Sequence, residues 1–455
     1  MSPSTPQHHD VVIVGAGQAG LSLSHYLQQR GIDHLLLEKH TPMHAWRHQR
    51  WDAFCLVTPN WQCKLPGHDY SGTDPHGFMK KAEIIGYLEA FLAKVKPPML
   101  TGVTVRHVQP QADGGYAIRT SAGDFTARQV VVCSGGYHEP VVPRLAERLP
   151  AHIVQLHSEQ YRNPQALPEG AVLVVGSGQS GAQIAEDLHL AGKRVHLAVG
   201  DAPRCARFYR GRDVVDWLAD MGYYDMPVDQ HPLREGVRDN TNHYVTGRDG
   251  GRDIDLRAFA LQGMRLHGLL DGLQDGVMTF QDTLAASLDQ ADKVYNGINA
   301  AIDQHIAKQG LDAPPPSAYT PVWQPEGGTA HTQLDLAAAG ITAVIWCIGF
   351  KPDFAWVDAP VFNGRGQPVH HRGVTTQPGL YFLGLPWLYT WGSGRFSGVA
   401  RDALYLAEQI DASLTAQGDR AQAQGAWAAV AGSGLGGVSS PPGQAVLDSA
   451  TSLRS

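Results

Sequence analysis

The chain of 455 residues is 43% hydrophobic with a formal net charge of -7, which suits two or three soluble domains and offers no basic face for nucleic acid. Small, neutral or weakly charged partners are the default. Cys55, Cys63, Cys133, Cys205 and Cys347 are scattered and odd in number, with no CxxC pair and no zinc spacing, a pattern that suits a reducing cytoplasm. The opening MSPSTPQHHD lacks a charged region followed by an apolar core, and no apolar run reaches the roughly 18 residues needed to span a bilayer. A soluble protein without membrane contact is expected.

Val11–Val14 is a short apolar run, Gly15–Gly20 breaks it, and LSLSHYLQQRG then has helical spacing before the strand-like LLLEK. This is the strand, turn, helix, strand unit of a doubly wound parallel sheet. In GAGQAG the first glycine permits the turn, the second lets backbone N–H groups approach a pyrophosphate, and the third packs helix on strand. The helix N-terminus faces the anion with its positive end. Gly15, Gly17, Gln18, Ala19 and Gly20 are the candidate residues of this turn, and Glu38, 18 residues after Gly20, is placed to accept from ribose hydroxyls.

A segment rich in Trp and Arg follows, HAWRHQRWDAFCLVTPNWQCKLPGHDY, and then the helical AEIIGYLEAFLAKV. GVTVRHV, GYAIRT and DFTARQVVV read as strands, with turns at 113–115 and 121–123. At Val172 the first unit recurs as VLVVGSGQSG, with a helix AQIAEDLHLAG and a strand RVHLAVG; Gly31 and Gly192 each lie 11 residues beyond the third glycine. Gly176, Gly178, Gln179, Ser180 and Gly181 are the second set of candidates. Here the position of Glu38 is taken by Val199, and the segment beyond supplies Arg204, Arg207, Arg210 and Arg212, guanidinium forks suited to a 2′-phosphate. The second nucleotide is therefore read as NADPH, with Arg204 and Arg207 as its candidate ligands. Two dinucleotides in one chain mean electron transfer, one unit for a resident flavin and one for the nucleotide that reduces it.

An excursion from Asp213 contains the helix SLDQADKVYNGINAAIDQHIAKQG, whose apolar stripe is core packing. ITAVIWCIGF reads as a strand, followed by GLYFLGL and a closing helix, VARDALYLAEQI. Beyond Ser413 the composition turns to Ala, Gly, Ser and Gln, and a flexible tail is expected.

The order GAGQAG, Glu38, LVTPNW, HSEQY, GSGQSG, an Arg cluster, CIGF and GLYFLGL resembles the class B flavoprotein monooxygenases, the group of flavin-containing monooxygenases and Baeyer–Villiger enzymes, over roughly residues 10–412. The resemblance implies an α/β fold of two Rossmann-like domains, with an FAD domain made of both chain ends (1–160 and 341–413), an NADPH domain inserted at 161–340 with its excursion at 213–330, and a tail at 414–455. It implies FAD and NADPH as cofactors, O2 and a small molecule as substrates, and a homodimer as the common state. Asn60 in TPNW resembles the asparagine placed beside the flavin C4a and N5, where it would donate to oxygen bound as a C4a-(hydro)peroxide; it is the candidate catalytic residue. Trp46 and Arg47 are expected against the isoalloxazine or its phosphates, and Lys39, Thr58, Val105, Ser134, Gly135, Gly349 and Gly384 complete the cofactor-lining set. His157, Ser158 and Tyr161 resemble the end of the family fingerprint, whose Phe and Gly are replaced by Ala151 and Ile153. Tyr161, where Baeyer–Villiger members carry Trp, leans toward oxygenation at nitrogen or sulfur. Leu385 stands where disulfide-reductase relatives have Asp. A reductase or oxidase passing electrons to a quinone, a carrier protein or O2, Baeyer–Villiger oxygenation of a ketone, and a scaffold without turnover are the competing readings. GSGQSG is no nucleophile elbow, because Ala182 breaks GxSxG, and no metal site is expected from the isolated histidines.

Overall fold

The structure, a computed structural model, describes residues 6–112 and 114–432. Its first sheet has nine strands. Gln7–Val14 lies at the centre, parallel to His34–Glu38 on one side and Gly123–Val132 on the other; Met99–Thr101 continues one edge. The other edge comes from far along the chain: Leu380–Phe382 pairs in parallel with Gly123–Val132 and carries the short strands 374–375 and 370–371 beyond it. Both ends of the chain thus build one sheet, as the resemblance implied. Its core collects Val12, Val14, Leu35, Leu37, Val130, Val132, Leu380 and Phe382.

The second sheet has five parallel strands in the order Val154–His157, Ile341–Trp346, Ala171–Val175, Arg194–Ala198 and Arg265–His267. Its central strands are apolar without alternation because both faces are covered. Val172, Val174, Ala343 and Ile345 enter one core, while Ala171, Leu173, Val175, Val344 and Trp346 enter another.

The domain boundaries differ from the sequence reading at two strands. Val154–His157 falls before the expected boundary at 160 and Ile341–Trp346 after that at 340, yet both belong to the second sheet. The chain crosses between sheets near residues 136–141 and 347–354, where Glu139–Pro140 and Phe350–Lys351 pair as an antiparallel ladder. A further internal repeat marks this placement in the sequence: VVVCSGG at 130–136 matches VIWCIGF at 344–350. In each unit this strand ends against the first glycine of the turn.

Met1–Ile410 is one compact unit. The C-terminal helix runs Val399–Gly432, so residues 414–432 are helical rather than a flexible tail. Alanine and glutamine, read with glycine and serine as a composition shift, are good helix formers. The rest of the expected tail, from Ser433, lies outside the described residues.

In the excursion, the helix Leu284–Gln309 buries Leu288, Ala291 and Ile302, and also the polar Asp292 and Asn299. Its stripe is core packing, as expected, but with a charge inside it.

Candidate functional site

Both glycine turns have the geometry that the sequence pattern demands. Gly15 has φ +108° and Gly176 φ +100°; a Cβ would stand 2.7 Å from the Cys133 carbonyl oxygen in the first case and 2.6 Å from that of Cys347 in the second. Neither turn admits a side chain there. At the third glycines a Cβ would meet the carbonyl oxygens of Gly15, at 2.0 Å, and Gly176, at 1.8 Å, so helix and strand are in backbone contact. The second glycines face open space: a Cβ on Gly17 has no neighbour within 4 Å, and one on Gly178 meets only the Thr241 methyl, at 3.4 Å. A cradle closed at two glycines and open at the one beneath the helix N-terminus fits a dinucleotide diphosphate in each unit.

The first helical residues are also matched. Gln18 Nε2 donates to the Gly394 carbonyl at 3.4 Å and Gln179 Nε2 to that of Val245 at 2.7 Å, tying each turn to a loop distant in sequence. Ala19 is buried, with its Cβ 2.7 Å from where a side chain on Gly384 would begin. That close approach, at φ +84°, explains the glycine. Ser180 is exposed on the first turn of its helix.

The strand ends tell the units apart. Glu38 accepts from the Ala16 N–H through Oε2 and the His40 N–H through Oε1, each at 2.8 Å. Each oxygen keeps acceptor capacity for a ribose hydroxyl. Lys39 is exposed beside it, and Val105 packs half-buried against the first core. In the second unit Val199 is buried, and Ser177 accepts from the Gly200 N–H at 3.0 Å in place of a carboxylate.

The arginine cluster is placed otherwise than expected. Arg204 is 2% exposed, paired with Asp292 at 2.9 Å and Asp255 at 3.6 Å and stacked on Tyr295 and Tyr319. Arg207 is 1% exposed, paired with Asp213 and bonded to the Val57 carbonyl. Arg210 pairs with Asp303 and Arg212 with Asp220. These guanidiniums neutralise buried and surface carboxylates of their own domain, so Arg204 and Arg207 present no open fork to a 2′-phosphate. The sequence shows four arginines but not the aspartates from 213 to 303 that engage them.

Asn60 is also engaged. It is 3% exposed; Nδ2 donates to the Asp74 carbonyl at 2.9 Å, and Oδ1 accepts from the Met79 N–H at 2.7 Å. The carboxamide staples the loop 74–79 and keeps one N–H to spare. Thr58 is half-buried two residues before it. Arg47 is half-buried and pairs with Glu89. The Trp46 ring stacks on Phe396, with centroids 5.4 Å apart, and carries the Arg50 guanidinium at 5.3 Å. Ser134 and Gly135 follow the strand that abuts Gly15, and Gly349 follows its counterpart beside Gly176.

His157 is 3% exposed, with its Nε2 3.1 Å from the Gly349 carbonyl oxygen and its ring edge-on to Phe350. Burial lowers its pKa. It ties the end of its strand to the returning segment at Gly349 and Phe350 and has no open face for chemistry. Tyr161 is fully buried and donates to Asp187 at 2.7 Å, beside the Arg248–Asp187 pair; its identity reports packing of the second unit. Leu385 packs on the first core.

All five cysteines are free. Burial pushes the Cys55 thiol up to about 11 and those of Cys63 and Cys205 to about 12, and raises Cys133 and Cys347 as well. Thiolate chemistry is suppressed at each. A cavity of about 720 Å³ opens among Trp61, His76, Phe208, Asp216 and Asp220. A smaller one of about 120 Å³ shares Trp61 and Ala219 with it and reaches Gly392, two residues from the carbonyl that Gln18 binds.

Two open dinucleotide cradles on two parallel sheets define an oxidoreductase with the two-dinucleotide architecture of the class B flavoprotein monooxygenases. Residues 12–218 match the family described as pyridine nucleotide-disulphide oxidoreductase. The chain is 31% identical over 407 residues to an uncharacterized CzcO-like oxidoreductase of Geobacillus kaustophilus, covering 88% of this chain and 98% of that one, and it belongs to that family. Indole-3-pyruvate monooxygenase YUCCA4 of Oryza sativa subsp. japonica is 31% identical over 209 residues, 42% of this chain and 47% of its own. Among solved structures, a flavin-containing monooxygenase from Stenotrophomonas maltophilia shares the fold, with a TM-score of 0.60 at 20% identity over 89% of this chain and 99% of that chain.

Proposed function

We propose that this chain is an FAD-dependent, NADPH-consuming monooxygenase that places one oxygen atom of O2 on the nitrogen or sulfur of a small organic substrate. The observation that carries the reading is the pairing of two open dinucleotide cradles with five unpaired cysteines, four of them buried, whose thiols are raised by desolvation. A nicotinamide-to-flavin chain needs an exit for its electrons, and a dithiol exit of the kind named in the matched family has no residues here. The flavin-containing monooxygenase fold and the identity to the YUCCA4 enzyme support oxygen as the acceptor.

Bound FAD would supply two-electron acceptance and the activation of O2. The chain's own residues bind, orient and exclude water. The Gly15–Gly20 turn and Glu38 would hold FAD, and the Gly176–Gly181 turn NADPH. Ser134, Gly135, Gly349 and Gly384 border these cradles, and Trp46 with Phe396 forms an aromatic wall. Asn60 locks the loop 74–79 and keeps one amide N–H with which it could donate to a bound oxygen atom. The Trp61–Asp216 cavity lies next to Asn60 in the chain and gives a substrate a route of entry. A dimer and a cytoplasmic location are part of the same reading.

The test is coupling. Anaerobic NADPH should bleach the flavin of the purified protein. Admitting O2 with an amine or thioether should then give oxygenated product in step with NADPH consumed. Stoichiometric hydrogen peroxide with no product from any amine, thioether or ketone would replace this reading with the oxidase.

A further inference from the structure

Glu186, Asp187, Asp213, Asp292 and Asp402 are buried carboxylates, and each faces a guanidinium. This is the expected arrangement, since a desolvated charge without a counter-charge is costly. Asp216 departs from it. It is buried as well, yet its one ion-pair partner among the described residues is His76, whose Nδ1 stands 3.2 Å from Oδ2 and which is charged only when protonated. Oδ1 accepts from the Trp61 indole N–H, a neutral donor, at 2.8 Å. Asp213 caps the helix Val214–Asp220, and Asp216 and Asp220 follow three and seven residues later, on one face. All three aspartates line the larger cavity with Trp61, His76 and Phe208. Arg207 answers Asp213 and Arg212 answers Asp220, so one carboxylate of this wall is in surplus. Asp213 also uses a single oxygen, Oδ1, for both Arg207 and the Val215 N–H, and its buried Oδ2 has no hydrogen-bond partner.

The smaller cavity, which shares Trp61 and Ala219 with the larger one, is unsatisfied in a different way. Gln62 is 3% exposed and lines it, and its Oε1 has no hydrogen-bond partner; Ser397 Oγ and Arg401 Nε on the same wall have none either. Buried polar atoms are normally paired. Two adjoining cavities with orphaned polar walls fit a ligand that brings its own hydrogen bonds. Their charges differ: Lys64, 5.4 Å from the Trp61 ring centroid, lines the smaller cavity and not the larger. The surplus of negative charge therefore belongs to the larger cavity, whose volume of about 720 Å³ suits a small organic molecule.

We propose that the larger cavity recognises a cationic group of the substrate, a protonated amine or a guanidinium, held by Asp216 between the rings of Trp61 and Phe208. The unsatisfied Asp213 Oδ2 adds to the negative potential there. A protonated nitrogen has no lone pair with which to take oxygen, so the recognised group is not the one oxygenated. The substrate is bifunctional: a cationic head rests in the larger cavity, and the reacting sulfur or free amine reaches past Trp61 toward the smaller one. The proposal rests on the monooxygenase reading for the reaction and on the cavity alone for the charge.

Three thioethers of equal reach test it in the flavin-loaded protein: propylamine, propanol and propanoate, each carrying a terminal methylthio group. Each sulfoxidation takes one O2, one NADPH and one proton and yields sulfoxide, NADP+ and water, so product and NADPH are counted together. In wild type, kcat/KM for the amine should exceed that for the alcohol by about tenfold or more, with the propanoate lowest. Asp216→Asn keeps an acceptor for the Trp61 N–H and loses the charge. It should cut the amine-to-alcohol ratio by about tenfold, chiefly through KM, and Asp216→Glu should retain part of it. Equal kcat/KM for the three heads within twofold in wild type overturns the proposal. So does an unchanged ratio in Asp216→Asn, since a purely structural aspartate would lower all three substrates alike. Should Asp216→Asn fail to fold, inhibition decides: propylammonium should compete with the amine thioether, propanol should not, and Phe208→Ala, at a half-exposed position, should weaken the competition. No competition by propylammonium overturns the cavity. If NADPH reduces the flavin and no thioether yields sulfoxide, the monooxygenase reading fails by itself. Calorimetric titration with propylammonium then tests the site, and binding that is absent in wild type or equal in Asp216→Asn overturns it.

Discussion

At the scale of single residues, the sequence was most informative where a position tolerates only one kind of backbone. Gly15, Gly20, Gly176 and Gly181 could be identified because a Cβ at each has nowhere to go, and this requirement is written in the residue type. Gly17 and Gly20 should therefore fail differently. Gly20→Ala forces a Cβ to within 2.0 Å of the Gly15 carbonyl oxygen and should cost the apoprotein about 1–3 kcal/mol or more in urea unfolding. Gly17→Ala meets no protein atom within 4 Å and keeps an ordinary φ of -79°. It should unfold as wild type yet bind FAD about tenfold more weakly, ~1.4 kcal/mol, since the methyl enters the space left for the diphosphate. Equal flavin affinity in Gly17→Ala and wild type would mean that the first turn holds no diphosphate. Charged residues were harder to read, because what a guanidinium does depends on a partner far away in sequence. Arg204 and Arg207 read as available from the sequence and are spent on Asp292 and Asp213. Asn60 shows the same limit: its motif suggests a catalytic donor, and its bonds to Asp74 and Met79 make it a loop staple as well. Asn60→Ala leaves a buried N–H and a carbonyl without their partner and should lower stability by about 1–3 kcal/mol. Limited proteolysis should then cut first in the loop 74–79; unchanged urea and proteolysis profiles would count against the staple.

At the scale of elements, the repeated strand–turn–helix–strand units were legible because strands buried on both faces and helices with one apolar stripe have different periods. The strand Ile341–Trp346 was recognised as a strand and assigned to the wrong sheet. Its apolar run fits either sheet equally, and only its neighbours on both sides decide. Adjacent strands of the second sheet also hold a feature that no motif announces. His196 Nδ1 and His267 Nε2 are 2.9 Å apart with their rings stacked, and His267 stacks in turn on Phe280. Burial lowers the pKa of His196 to about 4 and that of His267 to about 3, against 6.5 in the unfolded chain. Between these values the unfolded state binds more protons than the folded one. The stabilisation is therefore present above pH 6.5, declines as the pH falls through 6 and 5, and is lost below about 3, at up to ~1.4 kcal/mol per pH unit for each group. Urea midpoints measured from pH 7.5 to 4.5 should fall with acid in the wild type and fall less steeply in the doubly substituted His196→Gln/His267→Gln protein. The same slope in both would place the acid sensitivity elsewhere.

At the scale of the whole molecule, the discontinuous plan followed from the family resemblance, while the crossing points did not. They depend on where two segments some 200 residues apart meet, and only the match of VVVCSGG to VIWCIGF hinted at it. In the structure the outgoing and returning segments pair with each other at Glu139–Pro140 and Phe350–Lys351. The inserted unit therefore leaves and re-enters the first unit at one place, and all five strands of its sheet fall between Val154 and Trp346. A segment with adjacent ends and its own core is the kind that folds alone. Residues 141–352, expressed separately, should unfold cooperatively and bind NADPH without taking up flavin. The reciprocal protein, with 141–352 replaced by a short glycine-rich linker, should keep the first sheet, because Leu380–Phe382 still reaches Gly123–Val132, and should bind FAD that NADPH no longer reduces. Some stability will be lost in both, since Trp51 is buried in the second core and Arg207 bonds the Val57 carbonyl. NADPH binding by the reciprocal protein, or flavin retention by the excised segment, would show that the two cradles are not divided between the sheets as their glycines indicate.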